Sequence, residues 1–484
     1  MAGDGKETLV CGVDLGTSAA RALVCDLRGR VCGRGCAPLP PICTHGFYRE
    51  QDAEGWWDAV CSAIRLALAE VKAAAVAAVA VDATSGTLVM VDSALRAIAP
   101  GLMYNDGRAA GMSERINAAA GDFIARFGYA FKDDFSLAKI LWLQARDRKF
   151  AKAWKILHQS DFINTRLAGE ETATDWSNAL KTGADCEACA WPPFIAALGV
   201  PLDKLPARIV APATKIGEIC AYAAAATGLP RGTAIVAGAT DGVASLLASG
   251  ACEAGDFATA LGSTIAIRGI SRAMLRDPRG VLYCHRHPDG YWLPGGASNA
   301  GCTAINREFA PLPDSRDAIL TELGRNPDKH LPSDLIIYPL ADAVEERFPF
   351  KKSGIAAFVA GEIGSRERHF AAMLQALSFI ERWCYEEIEA LGCPAQRIFT
   401  LGGGSRNQAW CQLRADVMRK GIVLPAEAET AFGAAILAAA AHHGSVYAAA
   451  TAMASIARVY TPAARCFDEQ YRAFRAEVKR RWDV

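Results

Sequence analysis

The sequence predicts an α/β protein built as two similar halves that face each other across a cleft. Three observations carry that expectation. At 484 residues the chain exceeds one ordinary core. Short apolar runs of strand type alternate along it with amphipathic helical stretches. Each half also opens alike, with a strand, a Leu-Gly-hydroxyl-hydroxyl turn and a returning strand. The turns are Leu15-Gly-Thr-Ser18 and Leu261-Gly-Ser-Thr264. The echo puts a boundary near Gly250, giving expected domains over 1–250 and 251–484.

Composition narrows the function classes. The 52 basic and 52 acidic residues balance to zero net charge, which argues against nucleic acid or an anionic membrane as the main partner. No run reaches the roughly 18 apolar residues that a membrane span requires. Met1–Glu7 carry no apolar secretory core, so the expected location is cytoplasmic. Of 16 cysteines, most sit in apolar runs (Cys11, Cys25, Cys61, Cys302, Cys384) and read as free buried thiols. Cys186-Glu-Ala-Cys189 has no second pair and reads as structural.

In chain order, Thr8–Val13, Arg21–Cys25 and Arg30–Ala37 form a three-stranded meander. In its first turn Gly16 allows the tight bend, and Thr17 and Ser18 add hydroxyls. Asp14 ends the first strand, either as a satisfied turn carboxylate or as a group organising Mg²⁺ through water. Asp52–Val71 has helical spacing, with Trp56, Trp57, Val60, Ile64, Leu66 and Leu68 on one broad face. Ala75–Val81 is a strand that continues at Leu88–Val91 beyond the small polar turn at Thr84, Ser85 and Gly86. Leu102–Asp106 ends another strand on the polar pair Asn105 and Asp106, with Arg108 beyond it. Such turns are where α/β folds collect ligand groups. Helices follow at Asp134–Ala145, holding Lys139, and from Gln159.

Gly232–Ala239 is a strand leading to Asp241 in the first turn of a helix over Gly242–Ser249. A carboxylate at a helix start, near a Gly/Ser/Thr loop at Gly262, Ser263 and Thr264, suits moving a phosphoryl group onto a hydroxyl. In the second half, Ala371–Leu391 is a long amphipathic helix. Arg397–Leu401 runs into Gly402-Gly-Gly-Ser-Arg-Asn407 and a further helix. This reads either as a nucleotide cradle or as a simple strand-to-helix turn. Glu429–Ala435 opens an Ala-rich helix whose small residues permit tight packing. Tyr471–Trp482 is a basic amphipathic helix with a solvated face.

Five of these stretches, in register, resemble the FGGY carbohydrate kinases of the sugar kinase–Hsp70–actin superfamily. They are Asp14-Leu-Gly-Thr-Ser18 with Arg21, Ala239-Thr-Asp-Gly242, Leu261-Gly-Ser-Thr264, Leu401-Gly-Gly-Gly-Ser-Arg-Asn407 and Ala431-Phe-Gly-Ala-Ala435. The resemblance implies two ribonuclease-H-like (actin-like ATPase) domains, the first binding sugar and the second ATP. It implies Asp241 as general base, with Asp14 and Asp241 near Mg²⁺. Gly16, Thr17, Ser18 and Arg21 would form one phosphate hairpin, and Gly262, Ser263 and Thr264 the other. Gly403, Gly404 and Asn407 would meet adenosine. Thr84, Ser85, Gly86, Asn105 and Asp106 are the expected sugar-side residues.

Within that family, Asp82-Ala-Thr-Ser-Gly-Thr87, Ser136-Leu-Ala-Lys139, Ala179-Leu-Lys181 and Glu346-Arg-Phe-Pro349 look closest to the D-ribulose kinases, although Ala83 stands where that group usually has Gly. The Met-His-Gly turn of the classical xylulose kinases is missing near Ser85-Gly86. The expectation is therefore ATP- and Mg²⁺-dependent phosphorylation of a ketopentose, D-ribulose first. D-xylulose or another sugar or polyol is the alternative, and a non-catalytic actin- or Hsp70-like nucleotide switch the rival from another class. Small-molecule sugar and ATP are the expected partners, and a homodimer is kept open.

Overall fold

The computed structural model describes residues 8–309, 313–326, 329–342 and 344–484. Met1–Glu7, read above for a secretory core, lie outside the described residues. The chain divides into two compact units. One comprises 1–252, 285–290 and 429–454, and the other 253–284, 291–428 and 455–484. The expected split at 250 assigns everything beyond it to the second half, whereas the contacts assign the Ala-rich helix Thr430–His443 to the first unit.

The first unit holds a six-stranded sheet. Its order is Lys215–Glu218, Ala234–Val236, Val76–Ala83, Leu9–Leu15, Ala19–Asp26, Val31–Pro38. The last three form the antiparallel meander that the sequence predicts. Val76–Ala83 pairs parallel with Leu9–Leu15 on one side and with Ala234–Val236 on the other. Leu9–Leu15 is buried throughout, because helices cover both faces and a near-continuous apolar run is what such a position needs.

Glycines set how closely those helices approach. A Cβ on Gly33 or Gly35 would strike the carbonyl oxygens of Ala67 or Ala63 at 2.0 or 1.9 Å. The helix Ala53–Leu68 therefore lies directly on that face, with Trp56 and Trp57 in the core. Leu66, expected on the same face, is 54% exposed. It falls on the side of the helix opposite Ile64 and Ala67. On the other face, a Cβ on Gly12 would meet the Ala431 carbonyl at 2.0 Å, and one on Gly433 the Ala244 carbonyl at 1.9 Å. The small residues at 431–435 thus let Thr430–His443 pack against both Leu9–Leu15 and the helix Asp241–Ala248.

Leu88–Val91 does not continue Val76–Ala83. It belongs to a second sheet of the same unit, ordered Cys43–His45, Tyr48–Gln51, Gly101–Leu102, Leu88–Val91, Lys155–His158. The turn at 84–86 is therefore a crossover between sheets, and Leu88 pairs with Leu102 at the start of the 103–106 turn.

The second unit repeats the order. Trp292–Ser298, Ile265–Gly269 and Asp256–Leu261 form an antiparallel meander. Arg397–Leu401 then pairs parallel with Asp256–Leu261, Ile422–Pro425 parallel with Arg397–Leu401, and Ile456–Tyr460 antiparallel at the edge. In both units strands one to three meander, and two parallel strands follow on the side of the first. Each unit is thus a ribonuclease-H-like α/β domain. The core of the second unit includes a buried bidentate pair in which Arg414 donates to Glu381 at 2.6 Å twice and to Thr400 Oγ1 at 2.6 Å. The long helix runs Arg366–Ala390, a turn earlier than its apolar pattern begins. The last helix, Asp468–Trp482, buries Tyr471, Phe474 and Val478.

None of the sixteen cysteines is joined in a disulfide, and Cys302 is half-buried rather than buried. Among the described residues no helix is long and apolar enough to cross a membrane.

Candidate active site

The site in the first unit starts from strand register. Asp14 and Asp82 are direct partners in the parallel ladder, so two carboxylates emerge side by side at the ends of adjacent strands. The third parallel strand delivers Asp241. Ala83 donates to the Ala239 carbonyl, at 3.3 Å, and Thr240 bridges to Ala83. Close approach there requires Gly238, whose Cβ would meet the Val81 carbonyl at 2.0 Å. Thr240 then stands at the N-cap position of the helix Asp241–Ala248, without a side-chain capping bond, and Asp241 is the first helical residue. Its Oδ1 accepts from the Gly242 N–H at 2.7 Å.

The electrostatics follow from this convergence. Burial pushes the Asp82 carboxyl well above the usual carboxylate range, and the charges of Asp14 and Asp241 push it further. Neither Asp82 oxygen is met by an N–H or O–H donor among the described residues. With Asp14 beside it in the ladder and no donor to meet its charge, Asp82 is favoured in its protonated form. Burial also raises Asp14; the Arg21 guanidinium, 3.2 Å from its Oδ2, opposes that rise, and Asp241 adds to it. Asp82 had no role in the sequence reading. Its position at the end of an apolar strand, like that of Asp14, was the available signal.

A second layer holds Asp241 in place. Asp175 is buried and caps the short helix Trp176–Ala179. Its Oδ1 accepts from Ser177 Oγ at 2.5 Å and from the N–H groups of Ser177 and Asn178 at 2.9 and 3.0 Å. Ser177 Oγ in turn accepts from the Thr240 N–H at 3.0 Å. A chain of hydrogen bonds thus runs from a buried carboxylate to the residue before Asp241.

The residues expected on the sugar side separate into two kinds. Thr84 is committed, its hydroxyl bonded to Gln159 Oε1 and Thr87 Oγ1, both at 2.7 Å. Asp106 is fully buried and accepts from Arg108 Nε at 2.7 Å, Arg108 Nη2 at 2.8 Å and the Arg49 N–H at 2.7 Å. These two stiffen their turns. Ser85 Oγ is without a hydrogen-bond partner among the described residues, and Asn105 is exposed beside the exposed Tyr104 ring. Gly86 takes a left-handed φ of +96°, a conformation that costs glycine little.

Each unit carries one of the two Gly-hydroxyl turns. In the first, Gly16 N–H donates to Ala19 O at 3.2 Å and closes the hairpin, leaving Thr17 and Ser18 at its tip. In the second, Gly262 N–H donates to Thr264 O at 3.1 Å, and Ser263 is exposed. The helix Cys302–Phe309 packs behind that turn, with the Cys302 N–H donating to Gly262 O at 2.9 Å. After Arg397–Leu401, Gly402 (φ +80°) and Gly404 are needed for packing: a Cβ on either would lie 2.7 Å from Leu261 atoms. Only Gly403 of the three has open space around it. Asn407 caps the helix Gln408–Met418 with its Oδ1, 3.0 Å from the Trp410 N–H.

Among the described residues no group of three or more His, Cys, Asp or Glu side chains is arranged to hold a metal ion; Cys186 and Cys189 form no such group. The carboxylates Asp14 and Asp241 are hard oxygen donors and suit a cation that keeps most of its water, as Mg²⁺ does.

Comparison with known proteins matches this architecture. Residues 9–248 match the N-terminal domain of the FGGY family of carbohydrate kinases, and residues 263–442 its C-terminal domain. The chain is 26% identical to the xylulose kinase of Bacillus subtilis, covering 89% of this chain and 87% of that protein. It is 29% identical to the xylulose kinase of Streptomyces coelicolor over the same shares. It is 25% identical to the gluconokinase of Bacillus subtilis, over 88% and 86%. The crystal structure of xylulose kinase from Rhodospirillum rubrum superposes with a TM-score of 0.84 at 25% identity over 98% of each chain. With both family domains matched in order, the chain belongs to the FGGY family of carbohydrate kinases and is an ATP-dependent phosphotransferase.

Proposed function

We propose that the protein transfers the γ-phosphoryl group of ATP to the terminal hydroxyl of a ketopentose, with Asp241 as general base. The observation that carries this is the placement of Asp241, held at a helix start by the Ser177–Thr240 hydrogen bond and set beside Asp14 and Asp82. A loose phosphoryl-transfer transition state asks little of the nucleophile, so a carboxylate that orients the hydroxyl and takes its proton late is sufficient. Arg21 and the turns at Gly16–Ser18 and Gly262–Thr264 offer a guanidinium and backbone N–H groups to phosphate oxygens. Asp14 and Asp241 would hold Mg²⁺, which would supply charge neutralisation for the phosphates. Gly403, Gly404 and Asn407 take the adenosine side, with Gly403 as the open position.

On the sugar side, Ser85 and Asn105 present uncommitted polar groups, while Thr84, Gly86 and Asp106 shape the turns. The relatives named xylulose kinase favour D-xylulose as the acceptor. D-ribulose is the second reading, supported by the Asp82–Thr87 turn, which carries no His beside Ser85-Gly86. Two measurements test the proposal. Asp241→Asn should lose about 10²–10⁴-fold in turnover, the span of general-base catalysis; near wild-type turnover in a folded variant removes the assigned role. Initial rates over D-xylulose, D-ribulose, L-ribulose and gluconate decide the acceptor, and no ketopentose among the good substrates would overturn the class.

A further inference from the structure

Lys139 is fully buried, on the helix Ser136–Arg146. Its Nζ donates to three carbonyl oxygens: Gly86 at 3.1 Å, Met103 at 2.6 Å and Tyr104 at 3.0 Å. An ammonium has three donors, and all three go to neutral acceptors. The first acceptor belongs to the crossover turn after Val76–Ala83. The other two follow the strand Gly101–Leu102. One side chain therefore ties together the two turns assigned above to the sugar. Lys181 reinforces it from another element, donating to Ser85 O at 2.8 Å, so consecutive carbonyls of the 84–86 turn are each held by a lysine.

Such an arrangement is poor as a device for stability. The three carbonyl bonds, with Asp134 and Asp106 acting through charge alone, compensate the desolvation of this buried cation only in part, and an apolar side chain of similar length is often tolerated as well or better. Burial, with the Lys181 charge adding, pushes the Lys139 ammonium down to about 7. What the lysine supplies is geometry. The 103–106 turn is already rigid, because Asp106 is locked by Arg108 and the Arg49 N–H. Lys139 transfers that rigidity to the 84–86 turn, fixing the separation between Ser85 and the Tyr104–Asn105 edge.

We propose that Lys139 is a positioning residue for the sugar: with Lys181 it acts as a strut that holds the 84–86 and 103–106 turns at one spacing matched to a polyhydroxylated acceptor. This rests on the reading of those turns as the sugar side of the site. The test is steady-state kinetics of Lys139→Met, Lys181→Met and Asn105→Ala, varying sugar and ATP separately across the pentulose panel. A loss of about 1 Å in placement costs on the order of 10²-fold. Lys139→Met is therefore expected to raise the sugar KM about 10–100-fold and to flatten discrimination among pentuloses, with the ATP KM held within about 2-fold. A purely structural role would lower the amount of active enzyme without that split. If Asn105→Ala raises the sugar KM and Lys139→Met does not, the strut is refuted and the turn assignment stands. If Asn105→Ala leaves the sugar KM unchanged, the turn assignment fails and the strut with it. Should Lys139→Met not fold, Lys181→Met, at a half-buried position, reads the same quantity. A several-fold rise in its sugar KM upholds the strut, and an unchanged value refutes it.

Discussion

Ser177→Ala separates the positioning of Asp241 from the proposed role of Asp241 as base. The substitution removes one oxygen that does two things: it donates to the buried Asp175 carboxylate at 2.5 Å and accepts from the Thr240 N–H at 3.0 Å. Thr240 is buried, so its N–H is left without an acceptor, at a cost of about 1–3 kcal/mol. The lost bond to a charged group is worth about 1.5–3 kcal/mol. The two share an atom and overlap, and Asp175 retains three other donors, so about 3 kcal/mol is the expected loss of stability. For a unit of this size that lowers Tm by about 6–12 °C. The kinetic effect is more specific. Thr240 precedes Asp241, and its drift displaces the carboxylate, so kcat should fall about 10–100-fold while the sugar KM changes by less than about 3-fold. Ser177→Thr keeps the hydroxyl and should recover most of both. The assays are thermal unfolding followed by circular dichroism and coupled ADP release with sugar varied. Wild-type kcat in a destabilised Ser177→Ala protein would refute the positioning role while leaving the fold argument intact.

Two further substitutions probe the frame. Asp82→Asn replaces a group whose folded pKa lies well above its ordinary value near 3.8. A raised carboxyl contributes stability that is full below the unfolded pKa and is lost as pH rises toward the folded one. Asn carries no such proton, so Asp82→Asn should gain on wild type by up to about 1.4 kcal/mol per pH unit above pH 4. Thermal melts at pH 4, 5.5 and 7 check it, and a pH-independent difference would contradict the buried-proton account. Gly12→Ala places a Cβ 2.0 Å from the Ala431 carbonyl and 2.3 Å from the Ala435 nitrogen. Because both are backbone atoms, the loss should reach about 3 kcal/mol or more, read as a fallen Tm or insoluble protein.

What could be read from the chain divides by range. The hairpin at Leu15–Ser18, the helix opened by Asp241 and the strand–glycine–helix passage at 397–418 are local patterns, and the structure forms each where its residues suggest. The pairing of Asp14 with Asp82 depends on the register of two strands far apart in sequence, which periodicity does not specify. Thr84 and Asp106 look alike as polar turn residues. Only the fold reveals that their oxygens are saturated by Gln159, Arg49 and Arg108. Leu66 shows the opposite error: an apolar residue counted into a broad helical face that the packing leaves in solvent. The Gly402–Gly404 run was legible as an unusual feature, but its division into two packing glycines and one open position follows from the approach of Leu261.

The helix Thr430–His443 connects these scales. Its small residues stand at the far end of the sequence, yet they pack against Gly12 on the strand that carries Asp14 and against Ala244 on the helix that starts with Asp241. A side chain larger than alanine on that surface would push the strand and the helix apart. The two carboxylates they present converge at the carboxyl ends of parallel strands, where open α/β sheets place ligands. Within the first unit, therefore, the spacing of Asp14 and Asp241 is set from behind by backbone-to-backbone contact, and from the side by the Asp175–Ser177–Thr240 chain. This accounts for a chemically blank motif, Ala431-Phe-Gly-Ala-Ala435, standing in register with motifs that carry chemistry. It offers no polar side chain, and it sets the approach of the strand that carries Asp14 to the helix that carries Asp241.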